Sequence, residues 1–268
     1  MPDWSRIFPD ADHRWTMGLR PGDAAEFFRP RDPTGEVLRE RRRWLMDEPQ
    51  KYVVATPECE TCLADSLALA VSLGFVLPNS GATDLPTRAL VLGCAWESDF
   101  VWLLPDDGGT YHVVGGVVCF PSSWALTDKV GLPIGDVHAP VPGLNLALGR
   151  QIDRFISMLK TGDAWTRENW SLSRSDERNQ HTSRPRLQFD DSITADDVWI
   201  RLEHQLLLRL RPSSGVLFGI RIELVPLAEF RKDTDAARRL ARAIATMSSE
   251  AAEYKIFAPA RERLIALL

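Results

Sequence analysis

The residue in this chain with the most constrained surroundings is His138, within "DKVGLPIGDVHAPVPGLN", Asp128 to Asn145. Pro140 and Pro142 fix their own φ angles and push Ala139 and Val141 toward extended backbone, so the loop after the imidazole loses much of its freedom. A side chain held in this way is aimed at a partner; the alternative is a surface or capping histidine. A second constellation lies in "WIRLEHQLLLRL" and "GVLFGIRIELV", two β-rich runs joined by "RPSSG". Period two places Ile200, Leu202, His204, Leu206, Leu208 and Leu210 on one face and Arg201, Glu203, Gln205, Leu207 and Arg209 on the other. A tight loop then brings Gln205 beside Arg221, with Glu203 diagonal to it. Arginines grouped with a carboxylate and an amide suit an anionic ligand group such as a carboxylate, whereas the plain alternative is a solvated sheet face. His204, on the apolar side, reads as a satisfied core histidine.

Of four cysteines, Cys59 and Cys62 form "CETC". No second CxxC or nearby histidine completes a tetrahedral set, and Pro57 before the pair with "LADSLALAVSLG" after it places both thiols in the first turns of a helix.

The elements that must position these residues follow from periodicity. "DPTGEVLRERRRWLMDE" reads as a helix with Asp32 as N-cap and Pro33 at its first position, with Val37, Leu38, Trp44 and Leu45 on one face. Leu63, Leu67, Ala70 and Val71 share a face before Gly74. Leu148, Ile152, Phe155, Ile156 and Leu159 form a stripe closed by Gly162. Thr234 to Met247 is a further helix, and a short one follows Pro259. "RALVLGCA", "DFVWLLP" and "YHVVGGVVCF" read as a three-stranded meander, which with the late hairpin gives five antiparallel strands and an α+β fold. Ser171 to Ser192 reads as a floppy segment.

The chain has 268 residues and a formal charge of −5, which argues against nucleic acid or an anionic membrane as main partner. No apolar run is long enough to span a bilayer and the start has no signal-peptide pattern, so a cytoplasmic protein is expected.

Three segments, "FPSSWALTDKVGLPIGDVHAPVPGLN", "RENW" at Arg167 to Trp170, and "WIRLEHQLLLRLRPSSGVLFGIRIELVPL", together resemble the heme-dependent oxidative N-demethylase alpha-subunit family. "WTMGLRPGDAAEFFRP" and "LRERRRWLMDEPQKYVV" resemble its amino-terminal part. The resemblance implies a PAS-like fold, a five-stranded antiparallel sheet flanked by helices. Here that becomes one heme-binding domain over residues 1–268, with an N-terminal helical extension to about residue 85 and C-terminal helices from about residue 230. It implies heme b against the sheet, dioxygen activated at the iron, and oxidation of a small secondary amine such as dimethylamine to formaldehyde and the dealkylated amine. Electrons would come from NADPH through FMN and an iron–sulfur cluster on partner reductase subunits, because this chain has neither a GxGxxG turn nor a ferredoxin-type cysteine set.

On this resemblance His138 is the proximal iron ligand, with Pro140 stiffening its loop, and His112 in "TYHVV" is the rival. Lys129, Arg201, Arg209 and Arg221 become candidates for the heme propionates. Glu203 would orient an arginine or bind the substrate ammonium, with Gln205 beside it. Arg167, Asn169 and Trp170 would line the pocket, and Tyr111 would donate a hydrogen bond to oxygen at the iron. The chain departs from the family at His204, where a basic residue is usual, and at "RLRP", where RLP is usual; both bear on substrate identity. A heme-binding PAS-type gas or redox sensor, or a heme-free structural subunit, are the competing readings. After Val225 there is room only for helices, with no coiled-coil output, which leans against the sensor.

Overall fold

β-Branched and leucine-rich runs that alternate with polar residues build one sheet. In the structure, a computed structural model that describes residues 2–78 and 81–268, the strands are β1 (Arg20–Pro21), β2 (Val53–Ala55), β3 (Asp99–Pro105), β4 (Tyr111–Val117), β5 (Ala164–Ser173), β6 (Trp199–Arg209) and β7 (Val216–Pro226). They form a seven-stranded sheet in the order β1-β5-β6-β7-β3-β4-β2, with every neighbouring pair antiparallel. The α+β class holds.

Helices cover both faces. Before β3 come α1 (Trp4–Ile7), α2 (Ala24–Phe28), α3 (Glu36–Asp47), α4 (Pro49–Tyr52), α5 (Glu60–Ser72) and α6 (Leu85–Gly93). Between β4 and β5 lie α7 (Ile134–His138) and α8 (Leu144–Met158). After β7 follow α9 (Leu227–Phe230), α10 (Thr234–Thr246), α11 (Ser249–Tyr254) and α12 (Arg261–Leu267).

Leu45, Leu63 and Leu92 of α3, α5 and α6 pack with Phe27, Trp102, Leu206, Leu208 and Leu217 in one core. On the other face, Leu148, Ile152 and Ile156 recur at helical spacing along α8 and meet Val101, Leu103, Val113, Leu207 and Val216. A third core joins Leu172, Ile200 and Leu202 to α10, α11 and α12 through Leu240, Ile244, Ala252 and Leu264.

Several sequence expectations are corrected. "RALVLGCA" is the end of α6, not a strand: Asp84 caps it by accepting the Thr87 N–H at 2.9 Å, and Pro86 sits in the first turn, a start signal that outweighs the β-like run. The strand missing from the expected five is β5, which contains Arg167 to Trp170, and two short edge strands bring the sheet to seven. α3 begins at Glu36, after Gly35 at φ +68°, while Asp32 accepts the N–H groups of Thr34 and Val37. The segment after Ser171 is not floppy. Ser171 to Ser173 complete β5, and Asn179, His181 and Phe189 are buried.

The hairpin register also differs by one position. His204, not Gln205, stands opposite Arg221, and Gln205 faces Ile220. A one-residue slip exchanges the faces of a strand, so Arg221 lies on the α2 side, donating to the Phe27 carbonyl at 3.1 Å with its guanidinium 5.4 Å from that ring. The same change alters the expected setting of His204. It pairs with Glu223 at 2.8 Å, and Glu168 lies at 3.9 Å, so it belongs to a charged cluster on an otherwise apolar stripe. Burial lowers its pKa but the two carboxylates more than reverse that, leaving it raised.

Candidate functional site

α7 is a short helix that ends at His138. Its geometry comes from contacts on both sides: Asn145 Nδ2 donates to the Gly135 carbonyl at 2.7 Å, the Val141 N–H donates to the His138 carbonyl at 2.9 Å, and Trp15 Nε1 donates to the Pro142 carbonyl at 2.9 Å. Gly143 opens α8 at φ +72°, a left-handed conformation suited to glycine. Pro140 itself is exposed, so what it contributes is the stiffness of the turn. The imidazole lies within reach of the charge of Arg167 on β5. Its Nδ1 is buried with no hydrogen-bond partner. Burial, then the positive charges of Arg167 and Lys129, hold its pKa below the ordinary value against the opposing pull of Asp153. The ring is neutral at pH 7, the form that can ligate a metal.

Arg167 approaches from β5, opposite Gln205 of β6. Its Nε is buried and has no hydrogen-bond partner, and burial depresses its pKa. Beside it Glu203 is fixed by three donors: Ser122 Oγ at 2.7 Å, Gln205 Nε2 at 2.8 Å and Asn169 Nδ2 at 3.2 Å. Glu203, Gln205, Arg167 and Asn169 are thus brought together on the face that His138 approaches.

Lys255, from the turn after α11, is a member that sequence reasoning missed. It is buried, its Nζ donates to the Trp170 carbonyl at 2.6 Å, and it lies 4.8 Å from the Trp170 ring and 5.8 Å from that of Trp15. Burial lowers its pKa to about 8, against the attraction of Glu203. The apolar periodicity of the C-terminal helices gives no sign that this lysine turns inward. Ser122 was missed as well, because a serine in a loop carries no signal without its partner.

The other expected residues fall elsewhere or are already engaged. Arg201 is fully buried, and its guanidinium donates to Ser122 Oγ at 2.8 Å, to the carbonyl of Phe120 at 2.7 Å and to that of Arg178 at 2.9 Å. It clasps two loops. The 119–123 loop is anchored a second time by Asp99, which accepts the N–H groups of Cys119 and Phe120 at 2.7 and 2.9 Å and pairs with buried Arg41. Arg209 donates to the Tyr111 hydroxyl. Trp170 alternates to the opposite face, where its ring meets Phe8 edge-on at 5.3 Å. Lys129 is half-buried, and its charge is felt at His138. Arg221, as described, faces α2. Both ring nitrogens of the rival His112 are engaged, Nδ1 with the Gly131 carbonyl at 3.2 Å and Nε2 with Asp106 at 3.0 Å. The thiols of Cys59 and Cys62 are buried, and burial pushes them up to about 12 and about 11, so they stay protonated.

The arrangement is an antiparallel sheet with helices on both faces, on one of which a neutral, half-buried histidine meets an unpaired arginine and a fixed carboxylate. A neutral imidazole nitrogen can ligate a metal, and an unpaired guanidinium can meet an anionic group. Residues 79–265 match the family described as Haem-dependent oxidative N-demethylase, alpha subunit-like. The chain belongs to that family. Among the described residues no helix is long and apolar enough to cross a membrane.

Proposed function

We propose that this chain is a heme-binding oxidoreductase subunit that oxidatively N-demethylates a small secondary amine such as dimethylamine. The observation that carries the reading is the pair of orphaned buried nitrogens, His138 Nδ1 and Arg167 Nε, on one sheet face. Buried polar groups are almost always satisfied, and two neighbours left without partners mark a place where something else completes them. These residues fit heme b. His138 would ligate the iron, and Arg167 would meet a propionate. When bound, the heme supplies an iron centre able to activate dioxygen.

The remaining roles belong to side chains of this chain. Glu203, held by Ser122, Asn169 and Gln205, keeps its negative charge in place and attracts the ammonium of the amine. Lys255 lies behind it and balances that charge when no amine is bound. Tyr111 accepts from Arg209, which leaves its own O–H free to donate toward the substrate side. Arg201 and Ser122 hold the loop that orients Glu203. The five long strands β5-β6-β7-β3-β4 with helices over both faces support a PAS-like reading of the core, and the whole chain acts as one heme-binding unit. NADPH, FMN and an iron–sulfur cluster would reside on a partner reductase.

The test is an absorption spectrum of protein expressed with a heme precursor, oxidised and then reduced under carbon monoxide, followed by assay of formaldehyde release from dimethylamine with a reductase present. A Soret band that shifts at each step together with formaldehyde release is expected. A protein that stays colourless with added hemin would overturn the reading. A heme protein that binds carbon monoxide but releases no formaldehyde would favour the gas sensor.

A further inference from the structure

At the far end of β5 from Arg167, six residues and about 20 Å along the strand, lies a pocket of about 200 Å³ that the proposed heme chemistry does not use. It is lined by Ser123, Arg174, Gln180, His181, Arg184 and Arg186, among others. His181 is 8% exposed. Its Nδ1 accepts the Ser183 backbone N–H at 3.1 Å and lies 2.9 Å from the Ser183 hydroxyl. An accepting Nδ1 puts the proton of the neutral ring on Nε2, and that Nε2 is buried with no partner. The pocket therefore contains a buried donor that lacks an acceptor.

Three arginines and one carboxylate, that of Glu177, are in the lining. Arg184 pairs with Glu177 at 3.1 Å and Arg174 reaches Asp190 at 3.5 Å, yet both carboxylates are more than half exposed and the Nε atoms of both arginines are buried without partners. Arg186 donates to the Ser123 hydroxyl and has no carboxylate partner among the described residues. One group has the opposite need. Gln180 Nε2 donates to Ser173 Oγ at 2.7 Å and lies 3.4 Å from the Glu177 carbonyl, which can only accept, so the Oε1 end is fixed as an acceptor, and it too is buried without a partner.

We propose that this pocket binds a compact oxyanion that also carries an O–H group, hydrogen phosphate or a small phosphate monoester whose alcohol part keeps a hydroxyl, between His181 Nε2, Arg186 and the Nε groups of Arg174 and Arg184. The anionic oxygens satisfy the donors and the O–H satisfies Gln180 Oε1. Sulfate has the same shape but no proton to give at pH 7, so it leaves Oε1 unsatisfied and binds more weakly.

Isothermal titration of the heme-loaded protein with inorganic phosphate tests this, with glycerol phosphate and sulfate in parallel. Saturable 1:1 binding in the millimolar range or tighter is expected, with sulfate at least about tenfold weaker. Arg186→Gln should weaken phosphate at least about tenfold with an unchanged circular dichroism spectrum. His181→Gln should do the same, and Arg186→Gln decides the matter where the histidine variant does not fold. Tighter binding of glycerol phosphate would identify an esterified ligand, and of inorganic phosphate a free one; both support the site. No binding up to about 10 mM, equal binding of sulfate, or unchanged affinity in Arg186→Gln would overturn it. So would binding confined to heme-free protein, since the pocket would then belong to the heme crevice.

Discussion

Arg201 and Arg167 reach the same face of the sheet from adjacent strands, but they meet opposite surroundings. Arg201 is fully buried and spends its donors on Ser122 and the carbonyls of Phe120 and Arg178, so its end of the face is closed by protein. Arg167 is half-buried and its inward Nε has no partner, and the Nδ1 of His138 is in the same condition. A fold that can satisfy one buried guanidinium completely is not short of acceptors in general. The contrast therefore locates where the protein stops completing itself and where a ligand takes over. Burial depresses both guanidinium pKa values, that of Arg201 to about 10, so depression alone does not distinguish them; the hydrogen bonds do.

The two ends should respond differently to substitution. The largest effect on stability is expected at Arg201→Ala. Removing it strands several buried carbonyls and frees both loops, which should cost about 3 kcal/mol or more in chemical denaturation; a loss below about 1 kcal/mol would erase the distinction. His138→Ala should leave the fold intact and remove the Soret band, or displace it strongly. Retention of a wild-type spectrum would move the ligand elsewhere. Arg167→Met should change stability by no more than about 1 kcal/mol, with a gain possible because an unpaired charge is removed, while heme dissociation speeds up by about tenfold or more.

Acid titration sharpens the comparison further. The His138 pKa is lowered in the fold, so its imidazole stays neutral and ligand-competent somewhat below the usual 6.5. Unfolded chains take up the proton at about 6.5, so this contribution to stability is lost as the pH falls from that value toward the folded pKa, and the loss levels off once the folded ring protonates as well. The Soret band of the heme-loaded protein should accordingly hold from pH 7 to below 6.5 and then decline, and a midpoint above 6.5 would contradict the assignment. The smallest effect is expected at His112→Ala, where loss of a partly exposed contact to Asp106 should cost at most about 1 kcal/mol and leave the spectrum unchanged.

Much of the framework was readable from patterning. The α8 stripe of Leu148, Ile152 and Ile156, the helical setting of Cys59 and Cys62, and the long hairpin all follow from local periodicity. β5 was not readable, because "AWTRENWSLS" lacks clean alternation; its pairing with β6 makes it a strand. α6 was misread because Leu, Val and Ala suit either state in a short run, and the capping aspartate decides between them.

His138 and the order of the motifs around it were thus written in the sequence, since proline stiffness and residue type are local properties. What only the tertiary structure decided was which polar groups remain without partners. Arg201, Arg167, Lys255 and Arg221 look alike in a string of letters. A one-residue register sends Arg221 to the other face, a distant loop absorbs Arg201, a C-terminal turn brings in Lys255, and Arg167 is left over. Hydrogen-bond satisfaction is a property of the assembled surroundings, and those form only when segments far apart in the chain come together.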